Sequence, residues 1–202
     1  MWTFDSWSGD CAELNSGPNP LEGVLSLTSD KTCGVTFLDD PNVPNDGDAN
    51  ADGQKDSYQD NVVSLPDKAT GQYVTTEVDK NCVIDTLSTD LVVEAMGYDP
   101  KYQFPLGIIY FDVACAKTQI RLYYHAVSKI TRRFILQKYG FKVPGDPSTL
   151  GWYLFPNATF DTVTLGKKTA MRATYSLTDG ELGDNTGVDG HIVDPVGVAV
   201  VK

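Results

Sequence analysis

The sequence has no long apolar run, little glutamate and almost no histidine, and each shortage removes a class of protein. Its purely apolar runs are no longer than stretches such as Val198–Val201, far below the roughly 20 residues a helix needs to span a bilayer. Direct membrane insertion is therefore not expected. No charged-then-apolar stretch follows Met1, so no export signal is legible there. Only two histidines occur, His125 and His191, and the G-x-S-x-G elbow, the P-loop and the G-x-G-x-x-G fingerprint are all missing. A nucleophile–base hydrolase and a nucleotide-dependent enzyme thus lack their signatures. A glycosidase needs only two carboxylates, which any acidic chain contains, but no local motif supports one. Basic residues are also short: 16 Lys and Arg against 27 Asp and Glu give a net charge of -11 and a pI near 4.4. Nucleic acid and anionic membranes would be repelled over most of such a surface. Of the 27 acidic residues only 5 are Glu. Glu suits helices, whereas Asp suits turns, caps and cation-binding loops, so the acidity points to loops.

What is present reads as β structure. From Val62 onward, period-two alternation bounded by turn residues marks eight candidate strands: 73–78, 91–95, 107–115, 118–127, 132–139, 152–155, 159–165 and 170–177. Such a series predicts an all-β chain, an antiparallel β-sandwich over 61–202. Residues 118–137 are expected to form one hairpin turning near Ser128 and Lys129. Residues 1–38 predict three short strands, too little for a free-standing core. The one helical piece expected is a turn or two around Ser57–Val62.

Cysteine usage points outside the cytoplasm. Cys11, Cys33, Cys82 and Cys115 form no C-x-x-C pair, which argues against a zinc ribbon or a thioredoxin-type site and for two disulfides. Four cysteines allow three connectivities. The sequential pairing, Cys11 with Cys33 and Cys82 with Cys115, is the expectation.

Residues 39–60 form an Asp/Asn/Gly-rich linker that carries chemistry. Asp48, Asn50, Asp52 and Asp56 place oxygen side chains at positions 1, 3, 5 and 9 of a calcium loop. Gly53 falls at position 6, and Gln54 offers its carbonyl at position 7. Gln59 occupies position 12, where a bidentate Glu normally sits, and a neutral amide supplies one oxygen instead of two. The commoner use of such a run is an acidic linker, yet oxygens in this register with Gly in step favour calcium. A second calcium site is conceivable at Asp179, Asp184, Asn185, Asp189 and Asp194; Asp beside Gly more often caps backbone amides.

Three segments carry resemblances. Trp2-Thr-Phe-Asp-Ser-Trp-Ser-Gly-Asp-Cys11 together with Asp30–Phe37 resembles the second half of the internalin-type (Listeria-Bacteroides) repeat, as though the chain began inside a domain. The stretch Ser176–Gly197 resembles the end of the choice-of-anchor U domain of bacterial surface proteins. So do Asn61–Pro66 with Thr70–Thr75, Tyr102–Gly107 with Phe111, and Lys138-Tyr139-Gly140 before Trp152-Tyr153. This second likeness covers about residues 60–200. His191 departs from its pattern, and Lys202 comes before any sorting signal. The resemblance implies a non-enzymatic, extracellular β-sandwich at the bacterial cell surface, with neighbouring domains or copies of the same protein as partners. Two alternatives accompany it: a filament or sheath subunit assembling by strand complementation, and a glycan-binding module stacking sugars on Tyr123, Tyr124, Trp152 and Tyr153. Two covalent possibilities complete the reading. Lys138 is the candidate for a Lys to Asn or Asp isopeptide bond, against the commoner salt-bridged or exposed lysine. The Asp-Pro pairs at 40, 99, 146 and 194 are acid-labile but chiefly turn dipeptides.

Overall fold

The computed structural model describes residues 2–16, 29–91, 101–130, 133–144 and 146–202. Among the described residues there are thirteen strands and a few short 3-10 turns, and none of these helical pieces is long and apolar enough to cross a membrane. Two N-terminal strands, β1 (Trp2–Gly9) and β2 (Cys33–Asp39), pair antiparallel, with a register shift between Phe4 and Ser6. The third strand expected here, around Val24–Thr28, lies outside the described residues, as does most of the strand expected at 91–95.

The sandwich has two antiparallel sheets. One contains β3 (Val62–Pro66), β4 (Tyr73–Glu77), β8 (Lys117–Tyr124), β11 (Thr159–Leu165) and β12 (Lys168–Thr178), in the order β11-β12-β8-β4-β3. The other contains β5 (Val83–Asp90), β7 (Ile108–Ala114), β9 (Ile135–Phe141), β10 (Leu150–Leu154) and β13 (His191–Val201), in the order β10-β9-β13-β7-β5. The short β6 (Tyr102–Gln103) pairs with the end of β13. Alternation supplies the core, because successive side chains on a strand face opposite ways. Ile109, Phe111 and Val113 of β7 are buried, as are Ile120 and Leu122 of β8 and Ala173, Tyr175 and Leu177 of β12; all join one cluster with Leu136, Ile192, Val196 and Val198.

Two expectations are corrected here. Residues 118–137 do not form one hairpin: β8 and β9 lie in different sheets. The alternation was a true strand signal, but period two does not say which sheet a strand joins. The helix expected at Ser57–Val62 is a single 3-10 turn at Asp56–Tyr58, and Val62 already begins β3.

Both disulfides have the sequential pairing. Cys11–Cys33 ties the residues after β1 to the start of β2, with Cα atoms 5.2 Å apart and a sequence separation of 22. Cys82–Cys115, also 5.2 Å between Cα atoms and 33 residues apart, sits beside the Val83–Ala114 rung of the β5–β7 pair.

Candidate metal centre

The linker between β2 and β3 is built from aspartate-capped turns. Asp48 accepts hydrogen bonds from two backbone amides, Asp52 N on Oδ1 and Gly53 N on Oδ2, both at 3.0 Å. Asn50 Oδ1 shares the Asp52 amide at 3.3 Å, and Asp52 Oδ1 accepts the Gln54 amide at 3.0 Å. These contacts curl the chain through residues 48–54. Gly53, at φ +92°, takes the left-handed conformation the sharp bend requires. The Gln59 side-chain amide closes the ring, donating from Nε2 to Asp52 Oδ1 at 3.2 Å and to the Gln54 carbonyl at 3.1 Å. Those two oxygens are ones the spacing assigns to a cation. An amide donor therefore takes the place of positive charge, and a bound ion requires the amide to turn over and present its oxygen.

Asp48, Asn50, Asp52, Gln54 and Gln59 are thus brought together, whereas Asp56 faces the sandwich. It is 2% exposed, accepting from Ala49 N at 3.0 Å and from the Ser64 hydroxyl at 2.5 Å. Burial pushes its carboxyl up to about 6, against the lowering effect of the Ser64 and Ala49 hydrogen bonds. From Ser64 a buried polar chain continues to Thr75 Oγ1 at 2.8 Å and on to His125 Nε2 at 3.0 Å. Burial, with Lys168 adding repulsion, lowers His125 to about 4, so the imidazole is neutral.

The loop is tied on both sides. Lys55 Nζ pairs with Asp39 of β2 at 2.7 Å, and the Tyr73 hydroxyl of β4 donates to Asp40 at 2.5 Å. Asn50 Nδ2 donates to Glu77 of β4 at 3.4 Å, while the Asp60 carbonyl accepts from Ile84 N at 2.8 Å.

The C-terminal residues are used differently. Asp179 accepts the Asp189 and Gly190 amides at 3.1 and 2.8 Å. Asp184, 1% exposed, accepts from Gly180 N, Thr186 N and Val193 N. Asp189 accepts the His191 amide, and Asn185 Nδ2 donates to the Tyr139 carbonyl. Asp194 lies in the core, paired with Lys138. The five do not converge on one point; four of them stitch the turns of 179–190 to one another and to β9.

One cluster escaped sequence reasoning. His191 Nδ1 lies 2.9 Å from Asp112 Oδ1 and 3.6 Å from Asp85 Oδ2, the one group of three such side chains gathered among the described residues. Strand pairing brings it together: β7 sits between β5 and β13, and a bulge between Ile84 and Thr86 leaves Asp85 off the ladder. No local spacing signals it. The hydrogen bond to Asp112 raises the His191 pKa.

The aromatic set splits. Tyr123 and Tyr124 are buried, at 5% and 1% exposure, while Trp152 and Tyr153 are half-buried. Trp152 packs against Phe104 and Tyr139, with centroids at 4.7 and 5.5 Å. The four do not share an open stacking face. No protein-family profile, curated protein or solved structure matches the chain.

Proposed function

We propose that this chain is a non-enzymatic structural module of a bacterial cell-surface protein, an extracellular β-sandwich whose junction with its N-terminal β segment is clamped by calcium. The observation that carries the reading is the Asp48–Gln59 loop: ligand-type oxygens curled into one ring, with Lys55 and Asn50 anchoring that ring to β2 and β4. A cation there takes up the Asp48 and Asp52 carboxylates and locks the joint between the two β units. Two disulfides suit an oxidising exterior, and the likeness of 60–200 to choice-of-anchor U domains points the same way. The partners on this reading are neighbouring domains or copies of the same protein.

Calcium titrated against EGTA, with melting temperature and particle size followed together, tests it. External calcium loops bind at about 0.1 to 1 mM, and a tenfold excess over Kd adds roughly 1.4 kcal/mol. For a domain of this size that is a rise of roughly 3 to 6 °C. The expected result is that rise at constant size, abolished in Asp48→Ala/Asp52→Ala. Growth in size with calcium would instead favour the filament reading. No response, or an equal one in the double variant, removes calcium from the loop.

A further inference from the structure

Lys138 and Asp194 are the most deeply buried charged pair among the described residues. Each side chain is 1% exposed, and Lys138 Nζ lies 2.6 Å from Asp194 Oδ2. Lys138 is opposite Val196 in the β9–β13 ladder, so Asp194, two residues before Val196, is its diagonal neighbour on the inner face. The rings of Phe155 and Tyr175 enclose the amine, with centroids 4.6 and 5.2 Å from Nζ. Gly183 allows the approach of its own turn: a Cβ there would lie 3.0 Å from Nζ and closer still to Leu177 and Phe155.

The polar partners fit an amide better than an ion pair. Nζ donates to the Gly183 carbonyl at 2.9 Å, and Asp194 Oδ2 accepts from the Tyr175 hydroxyl at 3.1 Å. Asp194 Oδ1 is buried with no hydrogen-bond partner. A carboxylate with an unsatisfied oxygen in an apolar core is costly, as is an ammonium beside it. A secondary amide needs one acceptor for its N–H and one donor for its carbonyl, and the site offers Gly183 O and Tyr175 OH.

We propose that Lys138 and Asp194 condense into an intramolecular isopeptide bond joining β9 to β13. Nζ, as the neutral amine, attacks Cγ of the protonated carboxyl. The Nζ–Cγ bond forms and the Cγ–Oδ1 bond breaks. Oδ2 stays as the amide oxygen on the Tyr175 hydroxyl, and Oδ1 leaves as water with the carboxyl proton and one amine proton. Nothing is oxidised or reduced. Burial favours the reactive state, pushing Lys138 down to about 8 and Asp194 up, although each charge stabilises the other and Asp184 adds to the negative field. The bond is a covalent rung between two neighbouring strands and does not depend on the calcium loop.

Mass spectrometry of the full chain, denatured, reduced and alkylated, reads this directly. The expected mass is one water below that of the sequence, with a branched peptide linking the segments around Lys138 and Asp194. Lys138→Arg and Asp194→Ala restore the full mass. A wild-type chain at full mass with no branched peptide overturns the proposal. So does a water loss that maps to a succinimide at an Asp-Gly step such as Asp179-Gly180. Because the wild-type chain decides the question, a variant that fails to fold leaves the answer intact.

Discussion

At the scale of the residue, polar groups in this sandwich are held by burial rather than by solvent. His125 shows the consequence most plainly. Its folded pKa, about 4, lies below the ordinary 6.5, so between those values the unfolded chain takes up a proton that the folded chain refuses. The contribution to stability is complete above pH 6.5 and is lost as pH falls through about 4; it amounts to at most about 3 kcal/mol, less for the imidazole's remaining solvent contact. Asp56, at the other end of the Ser64–Thr75 chain, shifts in the opposite sense. The informative comparison is therefore between wild type and His125→Gln, in which the Asp56 contribution is common to both. Urea melts at pH 7 and pH 4.5 should show a smaller acid loss in the variant; equal losses would place the acid sensitivity elsewhere. Of these residues the sequence exposes only the types. Asp48, Asn50 and Asp52 were legible because their ring is local, made by contacts two to five residues apart. The Asp85–Asp112–His191 triad and the Asp56–His125 chain were not, because strand pairing assembles them.

At the scale of the element, alternation revealed strands such as β7, β8 and β12, where one face is buried and the other is wetter, but it did not mark β3 despite its alternating burial. It also failed where those conditions fail. β13 occupies the middle of its sheet, with seven consecutive buried residues from Asp194 to Val200, and contains Pro195 and Gly197, so it reads as the tail of a turn-rich stretch. β5 has the opposite difficulty: it is an edge strand, polar along most of its length, with a bulge in its register. The Cys82–Cys115 disulfide pins that edge strand beside its first rung with β7. Replacing both cysteines by alanine should cost about 3 to 4 kcal/mol, from the freed loop-closure entropy of the unfolded chain. Urea unfolding under non-reducing conditions measures it. A loss below about 1 kcal/mol would mean that β5 is held by its ladder with β7 alone.

At the scale of the whole molecule, an acidic chain with only short 3-10 turns as helix among its described residues closes two sheets over one core and fastens a two-stranded segment to it through an aspartate-rich loop. The class of fold followed from patterning, while the assignment of strands to sheets did not, because every inward-facing strand carries the same signature. The central claim is that the loop is a calcium-dependent joint, and amide hydrogen exchange tests it most directly. Ala49, Asp52, Gly53 and Gln54 donate their amides to carboxylates or a carboxamide within the loop. With calcium these amides should exchange at least tenfold more slowly than in EGTA, while the core strands β7, β8 and β12 change little. Exchange in the loop that is the same with and without calcium would contradict the account.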